Sequence, residues 1–242
     1  MLSLFIAFIL VFAATLGGVL MSVCGFGMGA VSMSILPHFL PYHESVALAG
    51  MCGCCTSLAI GVPNYKHINW RIMLPCAFFG ICASYGAVML SANVRGGIMV
   101  KALGVALIAL SVYSIFLGGK LHVRPTLLNG SIAGILGGVG SGLFAVGGPP
   151  IAVYMLAAID DKDVYRATTC MHFFFTTIIA NLTRWHQGII TMEVVHMWLV
   201  MLVGMTLGIY LGNKIFHRLN AQKLKIVVYA YLAVSGITLL FK

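Results

Sequence analysis

The chain has 242 residues, of which 61% are apolar and 8% are charged. A soluble domain cannot cover its surface with so few charged side chains, so this composition excludes an ordinary water-soluble fold and indicates a protein surrounded by lipid. The net charge of +9 comes from 14 scattered Lys and Arg residues against five acids, and because they form no basic stripe we expect no nucleic-acid partner.

The chain begins with an apolar stretch, residues 2–40, that would extend about 58 Å as one helix, well beyond a hydrocarbon layer of roughly 30 Å. A second long stretch, residues 127–159, would extend about 50 Å by the same rise. Glycines interrupt both, so we interpret them as broken or hairpin elements. Each is followed by three stretches of single-crossing length, first 45–62, 72–92 and 98–117, and then 166–183, 194–211 and 224–241.

The two halves of the chain repeat this order of elements. With an offset of 120 residues, Leu16–Val19 (LGGV) coincides with Leu136–Val139, and Gly27 coincides with Gly147. A constant offset of half the chain indicates an internal duplication. We predict two repeats, residues 1–120 and 121–242, that together form one transmembrane domain.

The positions of the Lys and Arg residues indicate how the repeats are oriented. If each long element enters the membrane and returns, ten of the 14 basic residues lie on one face and four on the other. If each element crosses once, the division is eight and six. The positive-inside rule favours the first division, so we predict returning elements and both termini on the non-cytoplasmic side of an inner membrane. The predicted fold is an all-α polytopic membrane protein with two inverted repeats, each a broken Gly-rich helical hairpin followed by three transmembrane helices.

Each long element carries a dense glycine motif. Glycine and proline weaken a helix, so we predict that the chain unwinds near residues 25–29 and 145–149 and restarts as a short helix. Paired breaks in two halves are typical of a central substrate site, where amides at half-helix N-termini bind anions. Close helix packing is the alternative use of such glycines. The glycines predicted to line the site are Gly25, Gly27, Gly29, Gly147 and Gly148.

The second motif, Ala145–Pro150 (AVGGPP), and its first-half partner Gly25–Gly29 (GFGMG) resemble those of the TauE/SafE family of sulfite, sulfonate and toluenesulfonate permeases. The resemblance extends to the aromatic and basic stretches Tyr65–Trp70 and Trp185–Ile190 and covers essentially the whole chain. It implies a permease for small sulfur-containing or organic anions such as sulfite, sulfonates or sulfoacetate. The family usually has three consecutive glycines in the first motif, where this chain has Met28 between two glycines.

Polar side chains in the apolar segments are further candidates for the site. All five acids lie in loops or near helix ends, which leaves an interior without carboxylates that suits an anion. His172 and Thr176 share a helical face, and we predict that His172 gains a proton as substrate binds, the alternative being a neutral histidine hydrogen-bonded between helices. Arg166 and Arg184 are expected to extend to the two membrane interfaces. The predicted polar site residues are Ser22, Thr56, Ser141, His172 and Thr176.

These observations favour a secondary transporter for small anions, with no catalytic residue, cofactor or bound metal. The expected partners are the lipid bilayer, a small anionic substrate and a coupling ion, either a proton or sodium, and the oligomeric state stays open. The sequence carries no Gly-x-x-x-x-Gly-Lys motif that would indicate ATP hydrolysis. The alternatives are a thiol-dependent sulfur-handling protein or soft-metal transporter that uses the seven cysteines, and an anion channel.

Overall fold

A computed structural model describes residues 4–92, 94–116, 126–216 and 237–241, and this part of the chain is helical, with no strand. The helices are α1 (Leu4–Cys24), α2 (Met28–Ile35), α3 (Tyr42–Gly61), α4 (Trp70–Ala92), α5 (Gly96–Phe116), α6 (Leu127–Phe144), α7 (Gly148–Ala158), α8 (Lys162–His186) and α9 (Met192–Phe216). Short 3₁₀ turns occupy Leu36–His38 and Tyr65–His67. Most of the predicted helix 224–241 lies outside the described residues.

Five of the described helices are long and apolar enough to cross a membrane. They are Leu4–Cys24, Tyr42–Gly61, Trp70–Ser91, Leu127–Phe144 and Met192–Phe216. α8 has 25 residues, about 37 Å of helix, but it is more polar because it carries five threonines, Asn181 and Arg184. The prediction of an all-α, multi-pass membrane protein is confirmed.

The first long element, α1 with α2, is a helical hairpin. Two glycines with positive φ reverse the chain between residues 25 and 27. Met28 then lies beside Gly17, so that a Cβ placed on Gly17 would be 2.6 Å from the Met28 Sδ atom. Near the open end of the hairpin, the rings of Phe5 and Phe39 are 5.9 Å apart. The element therefore returns to the side on which it begins.

The second long element, α6 with α7, forms a hairpin in the same way. The chain leaves α6 at Ala145, which has a left-handed φ of 55°. Contacts between the two arms run from the tip outward, with Ile151 against Gly137 and Tyr154 against Gly130. Both long elements are thus broken where the glycine motifs predict, and both return rather than cross once.

α3 and α8 pack against each other in opposite directions. Gly50, in the first half of α3, lies against Asn181 and Arg184 near the end of α8. Gly61, the last residue of α3, lies against Met171 in the first half of α8. Of the described helices, these two therefore form an antiparallel pair. The tips of the two hairpins, the first at residues 25–30 and the second at residues 145–150, lie beside this pair.

α1 and α9 form a parallel pair with very short backbone separations. The contacts advance together along both helices, from Gly204 against Val11 to Gly212 against Ser22, and Gly208 lies between them. Glycines four residues apart present one smooth helix face, which lets the two backbones approach closely inside a membrane.

α4 and α6 form a second parallel pair of the same kind. Gly134 lies against Cys76, and Gly142, two turns further along α6, lies against Ala87. Gly138 is placed between them against the backbone of α4. The packing alternative is therefore correct for these glycines, which hold one helix of each hairpin against a helix from the other half of the chain.

Candidate functional site

The tips of the two hairpins meet beside the middle of α3 and α8 and enclose a cavity of about 660 Å³, counted out to its open side. None of the residues that line the cavity carries a charge. The lining includes six glycines, three hydroxyl side chains and one thiol, which belong to Gly27, Gly29, Gly50, Gly53, Gly147, Gly148, Ser57, Ser141, Thr177 and Cys24.

The N-terminus of α2 lies at the cavity. α2 begins at Met28, and Gly27 before it provides no side-chain cap. The first amides of a helix have no carbonyl partner within the helix. The residues that carry them, Met28, Gly29 and Ala30, all line the cavity. The first tip therefore offers a set of uncapped backbone donors at the positive end of a helix dipole.

The N-terminus of α7 lies at the cavity as well, but it has fewer donors. α7 begins at Gly148, without a side-chain cap from Gly147. Pro149 and Pro150 follow and have no N–H. The second tip consequently offers the amide of Gly148 and a rigid, preformed first turn.

The two tips are in direct contact, and glycine is required where they meet. A Cβ on Gly29 would overlap the carbonyl oxygen of Ala145, and a Cβ on Gly148 would overlap the ring of Phe26. Backbone packed this closely cannot shift without moving the other tip. The contact between the tips therefore fixes the geometry of the amides around the cavity.

Two side chains of α8 cap the C-terminus of α1. The Tyr165 hydroxyl donates to the carbonyl of Cys24 at 3.1 Å, and the Arg166 guanidinium donates to the carbonyl of Ser22 at 3.3 Å. Arg166 also contacts the carboxylate of Asp163 at 4.0 Å. These donors satisfy carbonyls that the end of the helix leaves without partners.

The C-terminus of α6 is capped by the same two residue types. The Tyr42 hydroxyl donates to the carbonyl of Leu143, and Nη2 of Arg184 donates to the carbonyls of Ser141 and Gly142 at 3.1 and 2.9 Å. Arg184 is 1% exposed. The expectation that Arg184 extends to a membrane interface is wrong, because the carbonyls of Ser141 and Gly142 hold its guanidinium inside the protein.

Most of the predicted glycines and one predicted serine come together at the cavity. Gly27, Gly29, Ser141, Gly147 and Gly148 are part of its lining. Gly25 lies at the first tip with a φ of 77°, packed against Thr169, and does not line the cavity.

The remaining predicted polar residues lie elsewhere. Ser22 is buried against Gly212 of α9, and the Thr56 hydroxyl donates to the carbonyl of Cys52 in its own helix. His172 and Thr176 face Gly80 of α4. None of these four residues is part of the cavity lining.

Two hydroxyl residues of the lining, Ser57 and Thr177, are absent from the set chosen from the sequence. Each lies one position after a predicted site residue, Thr56 or Thr176. A helix turns by about 100° per residue, so two neighbouring side chains point in different directions and only one of them faces the cavity. Ser57 and Thr177 are separated by the repeat offset of 120. Thr56 and Thr176 share the same offset, so the repeat alone does not distinguish the two pairs.

The cysteines that the structure describes form no disulfide, and none of these residues belongs to a cluster of three or more potential metal ligands. Cys24 lines the cavity, whereas Cys52 lies against the sulfur of Met201 at 3.8 Å.

Comparison with known protein families decides which family this architecture belongs to. The model of the family described as "Sulfite exporter TauE/SafE" matches residues 10–239, nearly the entire chain. The chain belongs to the TauE/SafE family. Searches of curated proteins and of solved structures return no match. Membership, together with the apolar helices, makes it a multi-pass membrane protein of a family of sulfite and sulfur-anion transporters.

Proposed function

We propose that this TauE/SafE protein is a secondary transporter of the inner membrane that moves a small sulfur-containing or organic anion, such as sulfite, a sulfonate or sulfoacetate. The anion binds in the cavity between the two hairpin tips. A proton or sodium gradient drives its movement, and no catalytic step takes place.

One observation carries this proposal: two uncapped helix N-termini point into one cavity whose lining has no carboxylate. Helix N-termini bind anions because their free amides and their dipole both favour negative charge. An interior without acids adds no repulsion. The cavity is consequently complementary to an oxyanion and unsuited to a metal cation.

A buried hydroxyl in the lining supports the same conclusion. Ser57 is fully buried, and its Oγ has no hydrogen-bond partner among the described residues. Buried polar atoms are nearly always paired, and an unpaired one needs an explanation. We infer that a substrate oxygen is the missing acceptor for the Ser57 hydroxyl.

The packing of the helices supports inverted repeats and alternating access. The Gly18–Gly208 contact in the α1–α9 pair corresponds to the Gly138–Gly80 contact in the α6–α4 pair. The two hairpin glycines are 120 residues apart and the two partner glycines 128 apart. Such a pair of parallel contacts, with α3 antiparallel to α8, agrees with a two-fold axis in the membrane plane. Rocking of one repeat against the other then opens the cavity to either side in turn.

The test is transport by the purified protein in proteoliposomes. Liposomes are loaded with unlabelled sulfite or sulfonate, and the entry of labelled anion from outside is measured. A transporter gives saturable, one-for-one exchange, whereas a channel gives flux that does not require anion on the other side. Absence of transport across a panel of sulfite, sulfonates, sulfoacetate and carboxylates contradicts the proposal.

The same assay measures the role of Ser57. We expect Ser57→Ala to raise KM about tenfold, since a hydrogen bond to a charged partner contributes about 1.5–3 kcal/mol. The matched control is Ser111→Ala in α5, whose hydroxyl is also buried but donates to the carbonyl of Leu107 in its own helix. If both variants keep the KM of the wild type, Ser57 does not contact the anion.

A further inference from the structure

Each hairpin tip contains a helix C-terminus as well as an N-terminus, and this creates an electrostatic problem for an anion site. α1 and α6 both end at the cavity, with Cys24 and Ser141 among the lining residues. The end of a helix carries a partial negative charge of about half an electron from its free carbonyls. These two C-termini would repel an anion unless other groups offset them.

At α6 the offsetting group is a complete positive charge. Arg184 donates to two carbonyls at the end of α6 through Nη2 and to the amide oxygen of Asn181 through Nη1 at 3.2 Å. All five acidic side chains of the chain lie in the described residues, and none is within 4.0 Å of this guanidinium. The carbonyl dipoles hold the cation in place but do not neutralise it.

This charge lies directly behind the wall of the cavity. Nη1 of Arg184 would be 2.7 Å from a Cβ on Gly50, so the guanidinium packs against a residue of the lining. Ser141, whose carbonyl accepts from Nη2, is itself a lining residue. A buried charge this close to the cavity acts on its contents much more strongly than a charge at an exposed surface.

The corresponding arginine at the end of α1, Arg166, has a carboxylate close to its charge. Arg166 is within 4.0 Å of the Asp163 carboxylate and also donates to the side-chain oxygen of Asn213 at 3.0 Å. Its side chain is 12% exposed. A neighbouring carboxylate therefore offsets the charge at the first tip, while the charge at the second tip is left without a carboxylate partner.

We propose that Arg184 is the fixed positive charge that makes the cavity select anions. It is a positioning residue, which acts across Gly50 and through the C-terminus of α6 and does not touch the substrate. The inference rests on the proposed anion-transport function. It predicts that the benefit from Arg184 grows with the charge of the substrate, because Coulomb energy is proportional to that charge.

The experiment compares two substrates of different charge in proteoliposomes, methanesulfonate with one negative charge and sulfoacetate with two. We expect Arg184→Gln to raise KM about tenfold for methanesulfonate and about a hundredfold for sulfoacetate, since a doubled Coulomb energy squares the ratio. Glutamine keeps an N–H donor for the α6 carbonyls but carries no charge. A purely structural role of Arg184 would change both KM values by the same factor.

Two further variants separate charge from capping. Arg184→Lys keeps the charge, and we expect its ratio of the two KM values to stay within about threefold of the wild type. Tyr42→Phe removes the neutral cap from Leu143, and we expect a lower melting temperature with an unchanged ratio. If Arg184→Gln does not fold, the Lys variant carries the test, and a ratio shifted by tenfold there overturns the inference.

The possible failures are distinguishable. Equal KM ratios for the wild type and Arg184→Gln overturn the role of Arg184 while leaving anion transport established. A ratio that changes as much in Tyr42→Phe as in Arg184→Gln also overturns it, because capping rather than charge is then responsible. If the wild type transports neither these two anions nor sulfite or the carboxylates of the panel, the proposed function falls together with this inference.

Discussion

The first tip (residues 25–30) and the second tip (residues 145–150) lie at the same place in the two halves, but they reverse the chain with different residues. The first tip turns through glycines with φ of 77° and 125° and exposes three uncapped amides. The second turns through Ala145 with φ of 55°, and two prolines leave it with few donors. One tip is rich in hydrogen-bond donors, and the other is rigid.

For the proposed anion site, this difference predicts a division of roles between the two tips. In the proposed site, we expect the amides of the first tip to contribute most of the direct binding of the anion, since hydrogen bonds to a charge are stronger than those to a neutral group. The second tip provides a fixed surface against which the first is packed, as the contact between Gly29 and Ala145 shows. Substitutions in the two tips should therefore have unequal effects.

The largest expected contrast is between Gly27→Ala and Ala145→Gly. At φ of 125° an L-residue is strained by about 1–3 kcal/mol, and a Cβ on Gly27 would overlap the Leu20 side chain. We expect Gly27→Ala to lose most folded protein and all transport. Ala145→Gly relieves a left-handed alanine at an entropic cost of similar size, so its stability should change by less than about 1 kcal/mol.

Folded yield by fluorescence-detected size-exclusion chromatography and anion uptake per folded protein measure this contrast. The two variants exchange the same pair of residues in opposite directions, so each is the control for the other. Full uptake by Gly27→Ala would show that the first tip tolerates another backbone conformation, and the assignment of its amides to the site would then be wrong.

The next effect concerns the cavity that both tips share. Gly53 is buried in α3 and lines the cavity, yet no atom lies within 4 Å of a Cβ placed on it. We expect Gly53→Leu to fill the cavity and lower kcat/KM at least a hundredfold with no loss of folded protein, because leucine favours helix more than glycine by up to about 1 kcal/mol.

Gly86→Leu in α4 is the matched control, since a Cβ there also meets nothing within 4 Å and the residue does not line the cavity. Gly147 is unsuitable for this test because its Cβ would overlap the Gly137 carbonyl and the Ser141 hydroxyl. Wild-type transport by Gly53→Leu would place the substrate pathway outside the cavity.

The sequence predicts the fold well because the fold depends on properties that are averaged over many residues. Hydrophobic length identifies the helices, the density of glycine locates both breaks, and the division of basic residues favours the return of each long element. The direction in which an individual side chain points is harder to predict from the sequence. Thr56 and Ser57 are equally polar neighbours, and only the rotation of α3 against its partners decides that Ser57 lines the cavity.

Arg184 shows a second limit of sequence reasoning. An arginine near the end of a membrane helix is expected to reach the interface, where its hydration is favourable. Arg184 is instead buried against the carbonyl end of α6, which is 42 or 43 residues away along the chain. An interaction with backbone carbonyls depends on tertiary structure alone and leaves no pattern in residue types.

The smallest expected effect tests whether the second tip contributes to anion binding through hydrogen-bond donors or through its rigid shape. Pro149 lines the cavity within the first turn of α7, and Pro149→Ala adds an amide at a position where helices leave amides unpaired. We expect KM for the transported anion to fall about threefold, since a typical hydrogen bond contributes a net 0.5–1.5 kcal/mol. Pro150→Ala, beside it but outside the lining, loosens the same turn and should leave KM unchanged. A higher KM for Pro149→Ala would mean that anion binding depends on the rigid turn more than on an added donor. The second tip would then contribute a fixed shape to the site, whereas the first tip contributes hydrogen-bond donors.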